Sequence, residues 1–188
     1  MLKPLVKTGL FIGRFQPFHL GHLDIVKKIL AENERIIIAI GSAEKNYVPE
    51  NPLTAGERVM IIDETLKAEK IDPARYTIIP VRNIDNYALW IDHMNLYVPP
   101  YDTIYTGSNI IKACYEATAG KHRLAQVERV RPVSATALRE SMLKNPKDKS
   151  SHDWESLVPP RTAELLKKLS LPLRLRQIGE TMIETKYK

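Results

Sequence analysis

The segment 35–40, RIIIAI, places five apolar side chains in succession. A strand without a polar face must be covered on both sides, which is the condition of strands in a parallel sheet between two layers of helices. The rest of the chain keeps to that plan. Further short apolar runs at 8–13 (TGLFIG), 76–81, 103–106 and 124–130 read as strands. Between them lie helical patterns. Residues 21–31 put Leu23, Val26, Ile29 and Leu30 on one face, and Thr54-Ala-Gly-Glu57 is a capping box opening a helix to about residue 68. Helices are also predicted over 86–98, where Pro99-Pro100 stops the chain, and over 108–118, 136–143 and 161–169. The expected fold is α/β: a doubly wound parallel sheet with helices on both faces, binding its ligand at the carboxyl ends of the strands. The polar stretch 145–153 (NPKDKSSHD) is expected to be a loop. The domain is expected to span 1–169, leaving 170–188, with Pro172 and mixed charge, as a tail of undefined role.

A chain of 188 residues can bury a sizeable core without covalent staples. Its one cysteine, Cys114, excludes an intramolecular disulfide and a cysteine zinc cluster. The apolar runs are too short to cross a bilayer, and the start, MLKPLVKTGLFIGRF, lacks a secretory pattern, so a cytoplasmic protein with no membrane partner is expected. The net charge is +6, from 28 Lys/Arg against 22 Asp/Glu. Eight basic residues against three acidic ones fall between Lys121 and Lys149, a field that suits a polyanion such as a nucleoside triphosphate. No nucleic-acid-binding motif accompanies it and aromatics are 7%, so no nucleic-acid partner is expected. A solvated basic surface accounts for most of these side chains.

The most specific signal is Gly13-Arg14-Phe15-Gln16-Pro17-Phe18-His19-Leu20-Gly21-His22, where the first strand runs into the first helix. Gly13 ends the strand and would let a ligand approach the backbone, while Pro17 stiffens the loop. His19 and His22, three apart at a helix start, can face one side. The helix N-terminus adds free N–H groups and positive potential. A lone histidine here would read as an ordinary surface or core residue. Two of them with Arg14 beside a helix N-terminus suit a phosphate chain. A zinc site is the alternative, but such pairs on one helix are usually four apart, and no third ligand is near in sequence.

This stretch resembles the (H/T)xGH motif of the nucleotidyltransferases and, in its longer form, the archaeal-type nicotinamide-nucleotide adenylyltransferases. The likeness continues in order through Ile40-Gly41-Ser42-Ala43, Asn51-Pro52-Leu53-Thr54-Ala55-Gly56-Glu57-Arg58, Ile79-Pro80-Val81 and Ala88-Leu89-Trp90. Pro99-Pro100-Tyr101-Asp102, Tyr105-Thr106-Gly107, Ser134-Ala135-Thr136-Ala137-Leu138-Arg139 and Asp153-Trp154-Glu155-Ser156-Leu157-Val158-Pro159 complete it. It covers roughly residues 8 to 160.

The resemblance implies a Rossmann-like nucleotidyltransferase fold and the transfer of the adenylyl group of ATP to nicotinamide mononucleotide, giving NAD and pyrophosphate. A phosphate monoester, with a second pKa of about 6, is already a nucleophile at neutral pH, so such a site needs alignment and charge neutralisation rather than a strong base. His19, His22, Arg14 and Arg139 are the catalytic residues it implies, with His22 nearest the phosphorus under attack. Gly13, Phe15, Ser134 and Thr136 join them around ATP, while Trp90, Tyr87 and Ser42 would take the mononucleotide. From its own setting, Trp90 reads equally as a core residue. Mg²⁺ is implied on the triphosphate, held mainly by substrate oxygens and water, and a homo-oligomer, often a hexamer, is implied for the assembly. The chain departs from the family pattern at Glu50 (an arginine in the family, for which Lys45 is the candidate substitute), at Ala135 (a glycine) and at Tyr87 (an asparagine). Those departures leave pantetheine phosphate or FMN as alternative acceptors. A binding module that senses adenine nucleotides without turnover is the rival from another class.

Overall fold

The structure is a computed structural model that describes residues 5–84, 86, 89–107, 109–117, 123–127, 131–144 and 149–186. Five strands, β1 (Thr8–Gly13), β2 (Arg35–Ile40), β3 (Tyr76–Pro80), β4 (Thr103–Thr106) and β5 (Arg123–Gln126), form one sheet in the order β3-β2-β1-β4-β5. All four pairings are parallel. The chain winds outward from β1 to β3, then crosses back to place β4 on the other side of β1. The switch point therefore lies between β1 and β4, and loops leaving their carboxyl ends diverge there to open a crevice.

The alternation of side chains along a strand explains the apolar runs. Phe11, Ile36, Ile38 and Ile40 face one core with α1 (Leu20–Glu32) and α2 (Ala55–Ala68). Leu10, Ile12, Ile37 and Ala39 face the other, with α3 (Trp90–Tyr97). Helix α4 (Asn109–Ala117) lies on this second side, where Ile111 and Tyr115 pack against the core. Helices α5 (Ala135–Leu143), α6 (Pro160–Lys168) and α7 (Leu171–Lys186) extend the first core.

Most predicted elements form within a residue or two of their expected bounds. Helix α3 starts later, at Trp90, and its N-cap Leu89 makes no side-chain cap hydrogen bond. Strand β5 ends at Gln126, and residues 128–130 of the predicted strand lie outside the described residues. The expected loop at 145–153 is corrected in its second half, where Lys149–Leu157 is a 3₁₀ helix anchored by the buried Trp154, and 145–148 lie outside the described residues. The segment after Ser170 is helix α7, whose Leu171, Leu175 and Ile178 are buried at helical spacing. Pro172 falls in its first turn, where a backbone N–H has no helical partner to lose. No described helix is long and apolar enough to cross a membrane.

Candidate active site

His19 is the N-cap of α1, and the helix opens with a capping box made of two imidazoles. The His22 N–H donates to His19 Nδ1 at 3.3 Å, and the His19 N–H donates to His22 Nδ1 at 3.2 Å. The rings stack with centroids 3.6 Å apart and 21° between planes. Phe15 meets His22 edge-on at 4.9 Å and Phe18 lies against it at 5.6 Å. Each Nδ1 accepts a backbone N–H, so the proton of each neutral ring sits on Nε2. Gly21 is needed for this packing: a Cβ there would lie 3.2 Å from His19 ring atoms.

Gly13 lines the cleft, but the space above its Cα is taken by the Phe15 ring, which a Cβ would strike at 2.8 Å. Phe15 (φ 52°) and Ser42 (φ 51°), just past the ends of β1 and β2, adopt left-handed backbone. For non-glycine residues this costs of order 1 kcal/mol or more each and persists only where the surroundings hold it. Arg58, fully buried on α2, supplies the hold. Its guanidinium donates to the carbonyls of Arg14 (3.1 Å), Gly41 (2.9 Å), Ser42 (3.1 Å) and Thr54 (3.2 Å). Burial draws its pKa down to about 10, with the Glu44 carboxylate pulling the other way, so it stays charged at neutral pH. Buried Gln16 ties the same loop to the segment before α2, donating to the Leu53 carbonyl (2.8 Å) and accepting from the Leu53 N–H (3.0 Å).

On the opposite wall, Ser134 caps α5 by accepting the Ala137 N–H at 3.1 Å. Neither α1 nor α5 carries an acidic residue in its first turn, so both positive helix ends reach the cleft undiminished. Arg139 is buried and donates to the Gln16 carbonyl at 2.7 Å, with Thr136 Oγ1 3.4 Å away. Burial, and then the like charge of Arg14, lower its pKa, while Glu50 and Glu140 oppose the shift. A bound polyanion would relieve the repulsion between the two arginines.

These groups line one cleft of about 510 Å³ at the carboxyl ends of β1 and β4. His19, His22, Arg14, Ser134, Thr136 and Arg139 line it together with Ser42, Asn83 and Trp90. Trp90 belongs to the second core and also lines the cleft. Tyr87 lies outside the described residues. Lys45 is exposed on its loop, and Glu50 lines an adjoining cavity with Arg14 and Arg139. Among the described residues no group of three or more His, Cys, Asp or Glu could hold a metal ion.

The cytidylyltransferase-like family matches residues 10–141. The nicotinamide-nucleotide adenylyltransferase of Pyrobaculum arsenaticum is 41% identical over 161 residues, covering 86% of this chain and 88% of that one. That of Archaeoglobus fulgidus is 37% identical over 173 residues, covering 90% and 95%. This chain belongs to the nicotinamide-nucleotide adenylyltransferases. A likeness in fold reaches further: the bifunctional NMN adenylyltransferase/ADP ribose pyrophosphatase of Francisella tularensis superposes with a TM-score of 0.74 at 23% identity, over 97% of this chain and 56% of that one. The same protein is also solved complexed with AMP and a manganese ion, at a TM-score of 0.71.

Within this nicotinamide-nucleotide adenylyltransferase frame, sequence reasoning missed the side chains that hold the site without facing a ligand. Arg58 and Gln16 stood in the quoted motifs but carried no role. The signal available was chemical: a charged residue inside an otherwise periodic helix opening, and an amide in a loop of apolar neighbours. Arg131, which lines the cleft and whose Nε donates to Asp24 at 2.7 Å, had no local signal.

Proposed function

We propose that this chain transfers the adenylyl group of ATP to nicotinamide mononucleotide, yielding NAD and pyrophosphate. The observation that carries the reading is the convergence of the His19–His22 pair, the Ser134-capped helix, Arg14 and Arg139 on one cleft. Family membership supports the acceptor.

The 5′-phosphate of the mononucleotide attacks the α-phosphorus. A bond from its oxygen to phosphorus forms as the bond to the bridging oxygen of pyrophosphate breaks, and the electron pair leaves with pyrophosphate. No proton has to be abstracted, so the site works by alignment and by stabilising charge on oxygen. His22 Nε2, with its proton fixed there by the capping box, donates to an α-phosphate oxygen, and His19 donates beside it. Arg14 and Arg139, with Thr136 and the N–H groups behind Ser134, take the rest of the phosphate chain. Gly13 and Phe15 form the floor under it. Trp90 stacks on the cationic nicotinamide ring, and Ser42 and Tyr87 are the other residues we assign to the mononucleotide.

Mg²⁺ enters as part of the substrate, held by phosphate oxygens and water. The nucleotidyltransferase domain spans 1–169, with α7 docked against it. The protein works in the cytoplasm as a homo-oligomer, with a hexamer as the assembly to look for. The direct test mixes purified protein, ATP and Mg²⁺ with nicotinamide mononucleotide, pantetheine phosphate or FMN, and follows dinucleotide and pyrophosphate. NAD from the first acceptor alone is the expected result. Binding of ATP without product from any acceptor would replace this reading with that of a nucleotide sensor.

A further inference from the structure

A second cavity, of about 570 Å³, lies between α5, α7 and the loop at Pro49-Glu50. Arg14, Thr136 and Arg139 line both it and the main cleft, so the two spaces adjoin at these residues. The far wall is α7, which contributes Arg176. That helix is firmly seated: Leu171 and Leu175 are in the core, and Arg174 forks onto both Glu57 oxygens at 2.7 and 2.8 Å. Arg176 is half-buried and makes no ion pair among the described residues. A guanidinium partly withdrawn from water and in no ion pair among the described residues is a good anion ligand.

Three carboxylates, Glu50, Glu140 and Glu180, also line the cavity, but all three residues are exposed, where solvent and salt screen them. Arg139 and Arg176 are less exposed than they are. Because Arg14, Thr136 and Arg139 line both spaces, a phosphate chain held by them in the cleft is next to this chamber.

We propose that Arg176 is a further substrate-binding residue, which meets the terminal phosphates of the nucleoside triphosphate and the pyrophosphate that leaves. The proposal rests on reading the cleft as the adenylyl-transfer site. It gives the segment after Ser170 a part in the reaction, since α7 brings a donor to the leaving group. Arg176 moves no proton; it holds oxygens whose charge rises as the bond to the α-phosphorus breaks.

The test compares Arg176→Gln and Arg176→Lys with the wild type in both directions of the reaction, with thermal unfolding as the check of folding. Arg176→Gln is expected to raise KM for ATP, and KM for pyrophosphate in the reverse direction, by about tenfold to a hundredfold, the effect of one lost charge-assisted hydrogen bond. KM for nicotinamide mononucleotide and Kd for NAD should not move, because neither ligand carries the terminal phosphates, and Arg176→Lys should recover part of the loss. Unchanged KM for ATP and pyrophosphate would overturn the proposal, as would an equal loss for all four ligands, which marks a structural role. Calorimetric titration of ATP keeps this separate from the parent reading. If the wild type binds ATP but makes no NAD, the reaction assignment fails, and equal ATP affinity in Arg176→Gln would then overturn the Arg176 proposal on its own.

Discussion

Replacing Arg58 by methionine removes the guanidinium while keeping most of its volume. Four main-chain carbonyls, of Arg14, Gly41, Ser42 and Thr54, lose their donor. At the lower figure for bonds to a charged group, four of them contribute about 6 kcal/mol. The variant recovers the cost of burying the charge, which, with the pKa drawn down to about 10, is roughly 3 kcal/mol. The net loss is roughly 3 kcal/mol, which for a chain of this size lowers Tm by roughly 6–12 °C. Activity should fall further than stability alone requires. Phe15 and Ser42 are held in left-handed backbone by the same bonds, and a misplacement of about 1 Å in a positioned site costs about a hundredfold. Arg58→Lys keeps the charge, but one ammonium cannot span carbonyls on three segments, so it should regain some stability and little activity. Calorimetric melting alongside kcat/KM decides the matter. A variant within about 1 kcal/mol of wild type, with unaltered kcat/KM, would refute the idea that Arg58 holds the two loops in place.

His22→Ala should fold, since α1 keeps its buried face, yet lose several orders of magnitude in kcat; a steady-state assay with normal turnover would remove His22 from the reaction. Trp90→Leu should raise KM for nicotinamide mononucleotide by roughly three- to thirtyfold with a smaller change for ATP, and equal shifts in both would argue against ring stacking. Burial would push the Glu57 carboxyl up, but hydrogen bonds from Arg174 and Thr54 outweigh it and hold its pKa below the usual 4.5. The stability this pair contributes is therefore present above that value and lost as pH falls through the lower, folded-state pKa. The Tm gap between wild type and Arg174→Gln, scanned against pH, should be constant from neutrality down to about 4.5 and narrow below it; a gap that stays constant in acid would mean the carboxylate contributes nothing.

What could be read from the chain was what is local. RIIIAI has no polar face to turn to water, and Thr54-Ala-Gly-Glu57 carries its own cap, so β2 and α2 appear where the residues demand. Helix α7 was hidden by Pro172, which reads as a breaker until it is known to sit in the first turn. The (H/T)xGH resemblance located the cleft, but the paired capping was not legible, because imidazole is outside the usual set of N-cap side chains. Arg58 was harder still. On a helical wheel it is one more polar residue of an amphipathic helix, and only the loops arriving from β1 and β2 bury it. Phe15 has a part the motif does not disclose: it lines the cleft, and its ring also fills the space over Gly13 and braces His22.

A crystal of the chain with a non-hydrolysable ATP analogue and Mg²⁺ tests the account at its centre. The phosphates should lie between the Nε2 atoms of His19 and His22 and the Arg139 guanidinium. A nucleotide held elsewhere, with that corner left to solvent, would contradict it.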